Sequence, residues 1–214
     1  MDIVNSVTGQ VYPGKDGVAF QPVYHEQKYV KWKPRDSGGG ILGTFDANDA
    51  YVASVIKLNG GQQYGKLRTE DGNELIDTHY VYGNVLNEDG EVESFAVMAF
   101  TSTKITPWKK CSTAMYLLKG KPPLFANRFR MRTVDDKNDK GQSFKNIEFK
   151  PLVGSSWAES LIPPGDPVLM AGRDLREMVM SGAAKADLSS QGGDDTASSP
   201  GNAKAGKPDG EVPF

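Results

Sequence analysis

The sequence has few of the residues that build covalent or metal-stabilised frameworks. Among its 214 residues are one cysteine, Cys111, and two histidines, His25 and His79. A single thiol excludes an internal disulfide, and a zinc site made of cysteine and histidine would lack ligands. Neither histidine belongs to a nucleophile motif such as GxSxG. We therefore expect no metal site, no cofactor, no catalytic residue and no enzymatic activity.

Long apolar runs are also absent. No window approaches the ~18 consecutive apolar residues of a membrane-spanning helix. The start, MDIVNSVTGQ, lacks the basic and apolar regions of a secretory signal. We expect a cytoplasmic protein, in the host cytoplasm if it is viral, with no membrane partner.

The net charge is −2, but the charged residues are unevenly distributed along the chain. Between Lys104 and Lys150, twelve basic residues stand against four acids, which makes the segment +8. From Ser181 onward, three lysines stand against five acids. The basic middle of the chain is typical of a surface that binds a polyanion.

Composition changes abruptly near residue 180. Residues 183–210 contain one large aliphatic side chain, Leu188. Such a segment cannot bury enough apolar surface to offset ~1–2 kcal/mol of backbone entropy per ordered residue. We predict one domain over residues 1–180, ending in a short helix over Met170–Met180, and a disordered linker with an acidic tip over 181–214.

The body of the chain has the patterns of a mainly β domain. Tyr51–Leu58, YVASVIKL, is β-branched and aromatic and predicts a strand. HYVYGNVL and EVESFAVMAF flank NEDG, which predicts a hairpin. Thr106 as N-cap, Pro107 at the first position and Gly120 at the end predict a helix, with Trp108 on its buried stripe.

After this helix, two extended runs flank DDKNDKGQ, and the first run has two distinct faces. The apolar face carries Phe125, Phe129 and Met131, and the basic face carries Arg128, Arg130 and Arg132. The order of strands, helix and hairpin predicts an OB-like five-stranded barrel with its helix between strands 3 and 4.

Two basic segments are predicted to bind nucleic acid. The first contains Lys28, Tyr29, Lys31, Trp32, Lys33 and Arg35, before a glycine run, and the second contains Arg128, Arg130, Arg132, Lys137, Lys140 and Lys145. Guanidinium and ammonium groups bind phosphates, and aromatic rings stack on unpaired bases. Tyr29 and Trp32 are the predicted stacking residues, with Trp108 and Tyr116 as weaker ones. The alternatives are that Trp32 anchors a core and that the arginines solvate an edge strand.

Asp135, Asp136 and Asp139 form the one carboxylate cluster that suggests a magnesium site. Metal ligands converge from rigid elements, whereas these residues belong to a predicted charged turn. The sequence therefore favours a solvated loop.

The last six residues, DGEVPF, place two acids before an aliphatic residue, a proline and a terminal phenylalanine. This ending resembles the tail of bacterial and bacteriophage single-stranded DNA-binding proteins, and the body looks like a divergent bacteriophage version. In that family an aspartate-rich tip ending in Ile-Pro-Phe docks replication and repair enzymes. The resemblance implies partner contacts by Asp209, Glu211, Val212, Pro213 and Phe214, with Gly210 interrupting the acids.

We therefore predict a single-stranded DNA-binding protein that coats and protects DNA during replication, recombination or repair, with little sequence preference. The acidic tail is expected to recruit partner proteins and to compete weakly with DNA for the basic surface. The alternatives are a structural or accessory phage interaction protein with an adaptor tail, and an RNA-binding OB module. Whether the chain forms a homo-oligomer is left open.

Overall fold

The computed structural model describes residues 2–5, 9–63 and 65–184 and confirms a mainly β fold. The strands are β1 (Ile3–Val4), β2 (Val11–Tyr12), β3 (Val18–Trp32), β4 (Ile41–Asp46), β5 (Lys66–Arg68), β6 (Glu74–Leu86), β7 (Val92–Thr101), β8 (Phe129–Lys137) and β9 (Ser143–Pro151). The helices are α1 (Ala50–Leu58), α2 (Ile105–Tyr116) and α3 (Pro167–Met180), with 3-10 turns at Arg35–Ser37, Ser102–Lys104 and Leu124–Ala126. Within the described ranges, no helix has the length and apolar character needed to cross a membrane.

The 15-residue strand β3 organises the sheet, because it pairs antiparallel with β4, β6 and β8. The five long strands follow the order β7-β6-β3-β8-β9, and α2 lies between β7 and β8 in the chain. The helix therefore lies after the third and before the fourth of these five strands in the chain, the position that was predicted. No backbone pairing joins β7 to β9 among the described residues, so a closed barrel is not confirmed.

Both predicted hairpins are present. β6 and β7 pair from Thr78↔Thr101 to Leu86↔Val92, and their turn is closed by the Asn87 N–H, which donates to the Glu91 carbonyl at 2.9 Å. β8 and β9 pair from Phe129↔Pro151 to Lys137↔Ser143. The turn residues asparagine and glycine at each tip are what made these hairpins predictable.

The prediction of a strand over Tyr51–Leu58 is wrong, because this segment forms α1. Asp49 caps the helix: its carboxylate accepts the Tyr51 backbone N–H at 2.8 Å. Val52 and Val55 are buried, which is helical spacing. The cap and the three-residue spacing outweigh the β propensity of the side chains.

The predicted helix over 106–120 is present as α2, with different ends. Thr106 does not cap it, because the turn Ser102–Lys104 leads directly into Ile105, and the helix ends at Tyr116, before Gly120. The predicted buried stripe is confirmed, since Trp108 is 0% exposed. Burial raises the pKa of the Cys111 thiol on the same stripe.

Aromatic rings fill the core between α2 and the sheet and span the gap between β7 and β9. The Phe100 ring on β7 meets the Phe149 ring on β9 edge-on, with centroids 5.6 Å apart. Trp108 lies 6.0 Å from Phe149 and 5.6 Å from Phe100. Side-chain packing therefore joins the two strands where the backbone hydrogen bonds do not.

The predicted final helix is confirmed as α3, although it begins at Pro167, three residues before Met170. Gln21, fully buried on β3, anchors it: its amide donates to the Val168 carbonyl at 2.8 Å and to the Phe125 carbonyl at 2.7 Å. Gly172 lies directly against this amide, where a Cβ atom would overlap it. The predicted linker, from residue 185 onward, lies outside the described residues.

Candidate nucleic-acid interface

The first predicted basic segment forms the second half of β3, where its lysines have acidic partners. Lys28 Nζ lies 2.6 Å from Asp46 and 3.3 Å from Glu26. Lys31 Nζ lies 2.6 Å from Asp71, and this hydrogen bond holds the pKa of Asp71 well below its usual range. Because their charges are balanced locally, these lysines attract phosphate less strongly than the sequence predicts.

The aromatic residues of this segment contribute to cores. Tyr29, a predicted stacking residue, is 4% exposed and packs with Val52 and Leu67, so its ring is buried in this structure. Trp32 is partly buried and packs against the cluster that contains Val30, as the alternative interpretation expected. Lys33 is exposed, and the side chain of Arg35 lies outside the described part of the structure.

The arginines near β8 are half-buried and partly engaged. Arg132 Nη2 lies 2.6 Å from Glu148 Oε1, and Arg130 Nη1 donates to the Asp16 carbonyl at 3.3 Å. Arg128 precedes the strand, and its buried Nε has no hydrogen-bond partner among the described residues. Arg132 is therefore committed to a carboxylate across the hairpin.

The two predicted segments do not adjoin. Arg130 pairs with Ala19 at the start of β3, whereas Lys31 lies twelve residues further along the same strand. At ~3.3 Å per residue, that separation is about 40 Å of strand. The two predicted segments therefore belong to opposite ends of β3.

The structure instead packs α2 against β9 of the β8–β9 hairpin. The pKa of Asp136, in the hairpin, is lowered by the Asn146 side chain, by the Lys137 backbone N–H and also by the charge of Lys110 on α2. Lys145 pairs with Asp135 at 2.6 Å. Lys110, Lys137 and Lys140 have no carboxylate within ion-pair distance in the described ranges. We call Lys109, Lys110, Tyr116, Lys137 and Lys140 the α2–hairpin surface.

Tyr116 is the aromatic residue of this surface. It is 65% exposed at the end of α2, and Lys121 Nζ lies 5.8 Å from its ring centroid. Lys109 and Tyr116 lie seven residues apart on α2 and so share one face of the helix. Lys109 and Lys110 belong to the basic stretch between Lys104 and Lys150, but the sequence prediction placed the binding residues on the segments of β3 and β8.

A cavity of about 410 Å³ opens between α2, β3 and the segment 122–127. It is lined by His25, Trp108, Ser112, Thr113, Met115, Tyr116, Pro122, Leu124 and Asn127. Tyr116 therefore belongs both to the cavity and to the α2–hairpin surface.

His25 faces this cavity as a neutral imidazole. Its Nε2 lies 2.8 Å from His79 Nδ1, and the two rings stack at 5.1 Å. Burial lowers the pKa of His25 to about 4, with further lowering by His79 and Lys109 and opposition from Glu26 and Asp77. At neutral pH the ring is uncharged and contacts the Trp108 ring at 5.5 Å.

The structure describes the predicted carboxylate cluster but not the predicted tail site. Asp135 pairs with Lys145, and Asp136 accepts from the Asn146 amide at 2.9 Å. In the described ranges, no group of three or more metal-ligating side chains is found. The predicted partner-binding residues Asp209, Glu211, Val212, Pro213 and Phe214 lie outside the described residues.

The chain matches a known protein family, although it matches no individual protein in two other comparisons. No curated protein and no solved structure is similar enough to match the chain. A family model described as "Pam3 phage gp34-like protein" matches residues 2–185. Because this match covers most of the chain, the protein belongs to the Pam3 phage gp34-like family, a family named for a bacteriophage protein.

Proposed function

We propose that this phage-family protein is a non-enzymatic single-stranded DNA-binding protein that coats exposed strands during replication, recombination or repair. The observation that carries the proposal is the α2–hairpin surface, which comprises exposed lysines on α2 and on the β8–β9 hairpin and the exposed Tyr116 ring at the end of α2. This surface lies away from the β3 segment, where Lys28 and Lys31 are paired with carboxylates.

The chemistry of this surface suits an unpaired strand. Lysine ammonium groups bind backbone phosphates and release counterions, which favours association at low salt. The Tyr116 ring offers a stacking face for an unpaired base, which a duplex does not provide. Contacts of these two kinds carry little sequence information, so little sequence preference follows.

Recruitment of other proteins is proposed for the tip of the tail, in the host cytoplasm. Phe214 can enter an apolar pocket of a replication or recombination protein while the α-carboxylate pairs with a cation there. This part of the proposal rests on the sequence DGEVPF.

The test is a titration of the full chain with fluorescently labelled oligo(dT), followed by anisotropy across a range of salt concentrations. We expect tight binding at low salt that weakens steeply as salt rises. Lys110→Gln combined with Lys137→Gln should weaken binding and lower the salt slope by about 0.7 for each phosphate that is no longer neutralised. Lys57→Gln removes an exposed lysine on α1 and serves as the control, with unchanged binding expected.

Competitors separate the remaining possibilities. Unlabelled duplex should compete poorly, and equal competition by duplex would indicate general attraction to polyanions. Oligo(U) that competes better than oligo(dT) would support an RNA-binding function instead. Absence of binding at low salt would overturn the proposal.

One observation favours the rival function of a protein-interaction module. A second cavity, of about 380 Å³, is lined by apolar side chains: Pro122, Pro123, Phe125, Ala126, Leu161, Ile162, Pro163, Pro164 and Leu169. Apolar depressions of this kind are typical of protein-binding surfaces. An accessory phage protein that uses this cavity and the tail would not bind oligo(dT).

A further inference from the structure

The cavity beside α2 has walls suited to a flat aromatic ring. His25, Trp108 and Tyr116 all line it, and its volume is about 410 Å³. The side chains of Pro122 and Leu124 complete an apolar wall. Aromatic and aliphatic walls of this kind accept planar heterocycles by stacking and dispersion.

Two of the lining residues carry buried polar atoms without hydrogen-bond partners among the described residues. These are the Nε1 donor of Trp108, a residue that is 0% exposed, and the Oδ1 acceptor of Asn127, which is 2% exposed. The Asn127 amide nitrogen, in contrast, donates to the Pro123 carbonyl at 3.1 Å. Buried polar atoms are nearly always paired in folded proteins, so unpaired ones indicate a missing partner.

Charges of both signs lie near the cavity. Glu26, Lys109 and Asp77 act electrostatically on His25 inside it, and Lys121 lies over the Tyr116 ring at the rim. A ligand with a planar ring inside the cavity and a negative charge outside it, near Lys121, fits this arrangement. Each nucleotide of a single strand has this combination, and the edge of its base presents both donors and acceptors.

We propose that this cavity receives one unpaired base of the bound strand, so that the protein reads base identity at a single position. The base leaves the strand at Tyr116 and inserts beside His25, and its phosphate stays near Lys109 and Lys121. This inference rests on the proposed single-stranded DNA binding and adds to it a site of modest base preference. It requires the Asn127 side chain to turn its unpaired Oδ1 toward the incoming base.

The first test fills the cavity from α2. Ser112 lines the cavity and its hydroxyl donates to the Lys109 carbonyl at 3.1 Å. We expect Ser112→Leu to weaken oligonucleotide binding about tenfold, the worth of one stacked base, with an unchanged salt slope. Differences in affinity among homopolymers should shrink as well.

Ser54 on α1 provides a matched control. Its hydroxyl donates to the Tyr51 carbonyl, three residues earlier, at 2.7 Å. The hydroxyl of Ser112 makes the same kind of bond on α2. Ser54→Leu therefore makes the same change in a helix away from the cavity, and its binding should equal that of the unmodified protein. Equal binding by Ser112→Leu as well would count against the base site.

The second test needs no variant. Free deoxynucleosides carry a base but no phosphate, so they probe the cavity independently of the lysines. We expect at least one to shift the imidazole NMR signals of His25, because this residue lines the cavity. If no deoxynucleoside shifts these signals, the inference is overturned.

The two proposals fail in different ways. If oligo(dT) does not bind the unmodified protein, the proposal of single-stranded DNA binding is refuted, and the base site is refuted with it. If oligo(dT) binds but Ser112→Leu binds equally well and the signals of His25 do not respond, only the base site is refuted.

Discussion

The buried imidazole of His25 predicts a specific loss of stability in mild acid. Its pKa is lowered from the ordinary value of 6.5 to about 4 by burial, by the neighbouring His79 and by Lys109. Glu26 and Asp77 oppose this shift without reversing it. Each pKa unit is worth about 1.4 kcal/mol, so the shift corresponds to roughly 2–3 kcal/mol once partial exposure is allowed for.

The sign follows from proton uptake. Between the folded value of about 4 and the ordinary value of 6.5, the unfolded chain binds a proton at this site that the folded chain excludes. The stabilisation is therefore complete above the ordinary pKa and is lost as pH falls toward the folded pKa. Protonation would place a charge beside Trp108, where the ring centroids are 5.5 Å apart.

Two measurements check this prediction. The chain has two histidines, so His25→Gln assigns the imidazole NMR signals, and the signal of His25 should titrate with a midpoint below about 5. Urea unfolding of the unmodified protein and of His25→Gln at a series of pH values then isolates the contribution of this residue from that of the carboxylates. As pH falls from about 6.5 to about 4, the free energy of unfolding of the unmodified protein should decrease by roughly 2–3 kcal/mol more than that of His25→Gln. A midpoint near the ordinary value would refute the reasoning.

Three further outcomes are expected. Gly172→Ala should lower the free energy of unfolding by roughly 1–3 kcal/mol, because its Cβ would overlap the Gln21 amide. Gly43→Ala, where a Cβ would be 3.4 Å from the Phe45 ring, should cost less in the same urea assay. Asp166→Ala should cost about 1 kcal/mol, since it removes the carboxylate that accepts the Val168 N–H at 2.9 Å, and a stability unchanged in thermal unfolding would contradict the cap. Deleting residues 185–214 should strengthen oligo(dT) binding at low salt if the acidic tail competes with DNA, whereas unchanged affinity would discard that competition.

The hairpins and α2 were predictable from the sequence because their information is local. The Asn and Gly residues at the tips of β6–β7 and β8–β9 specify turns, and Trp108 and Cys111 mark the buried face of α2. The prediction of a strand over Tyr51–Leu58 was wrong because it rested on β propensity alone. Asp49, two residues before Tyr51, caps a helix there instead. That cap, with Val52 and Val55 at helical spacing, was the information in the sequence that could have identified α1.

The binding surface could be predicted only in part, because it depends on long-range partners. Nothing near Lys31 in the sequence shows that Asp71, forty residues away, lies 2.6 Å from it. Likewise, Tyr29 is an aromatic residue of the kind that stacks on bases, but side chains of α1 and β5 cover its ring. The exposure of Tyr116 and its position beside the cavity follow from where α2 ends, which composition and periodicity do not specify.

The long strand β3 has a mechanical consequence. β4, β6 and β8 all hydrogen-bond to it, and α3 is tied to it through Gln21, so β3 cannot be released without breaking its contacts with all four elements. Amide protons of β3 should therefore exchange with solvent only when the whole domain opens. We therefore expect the four elements that contact β3 to unfold together with it.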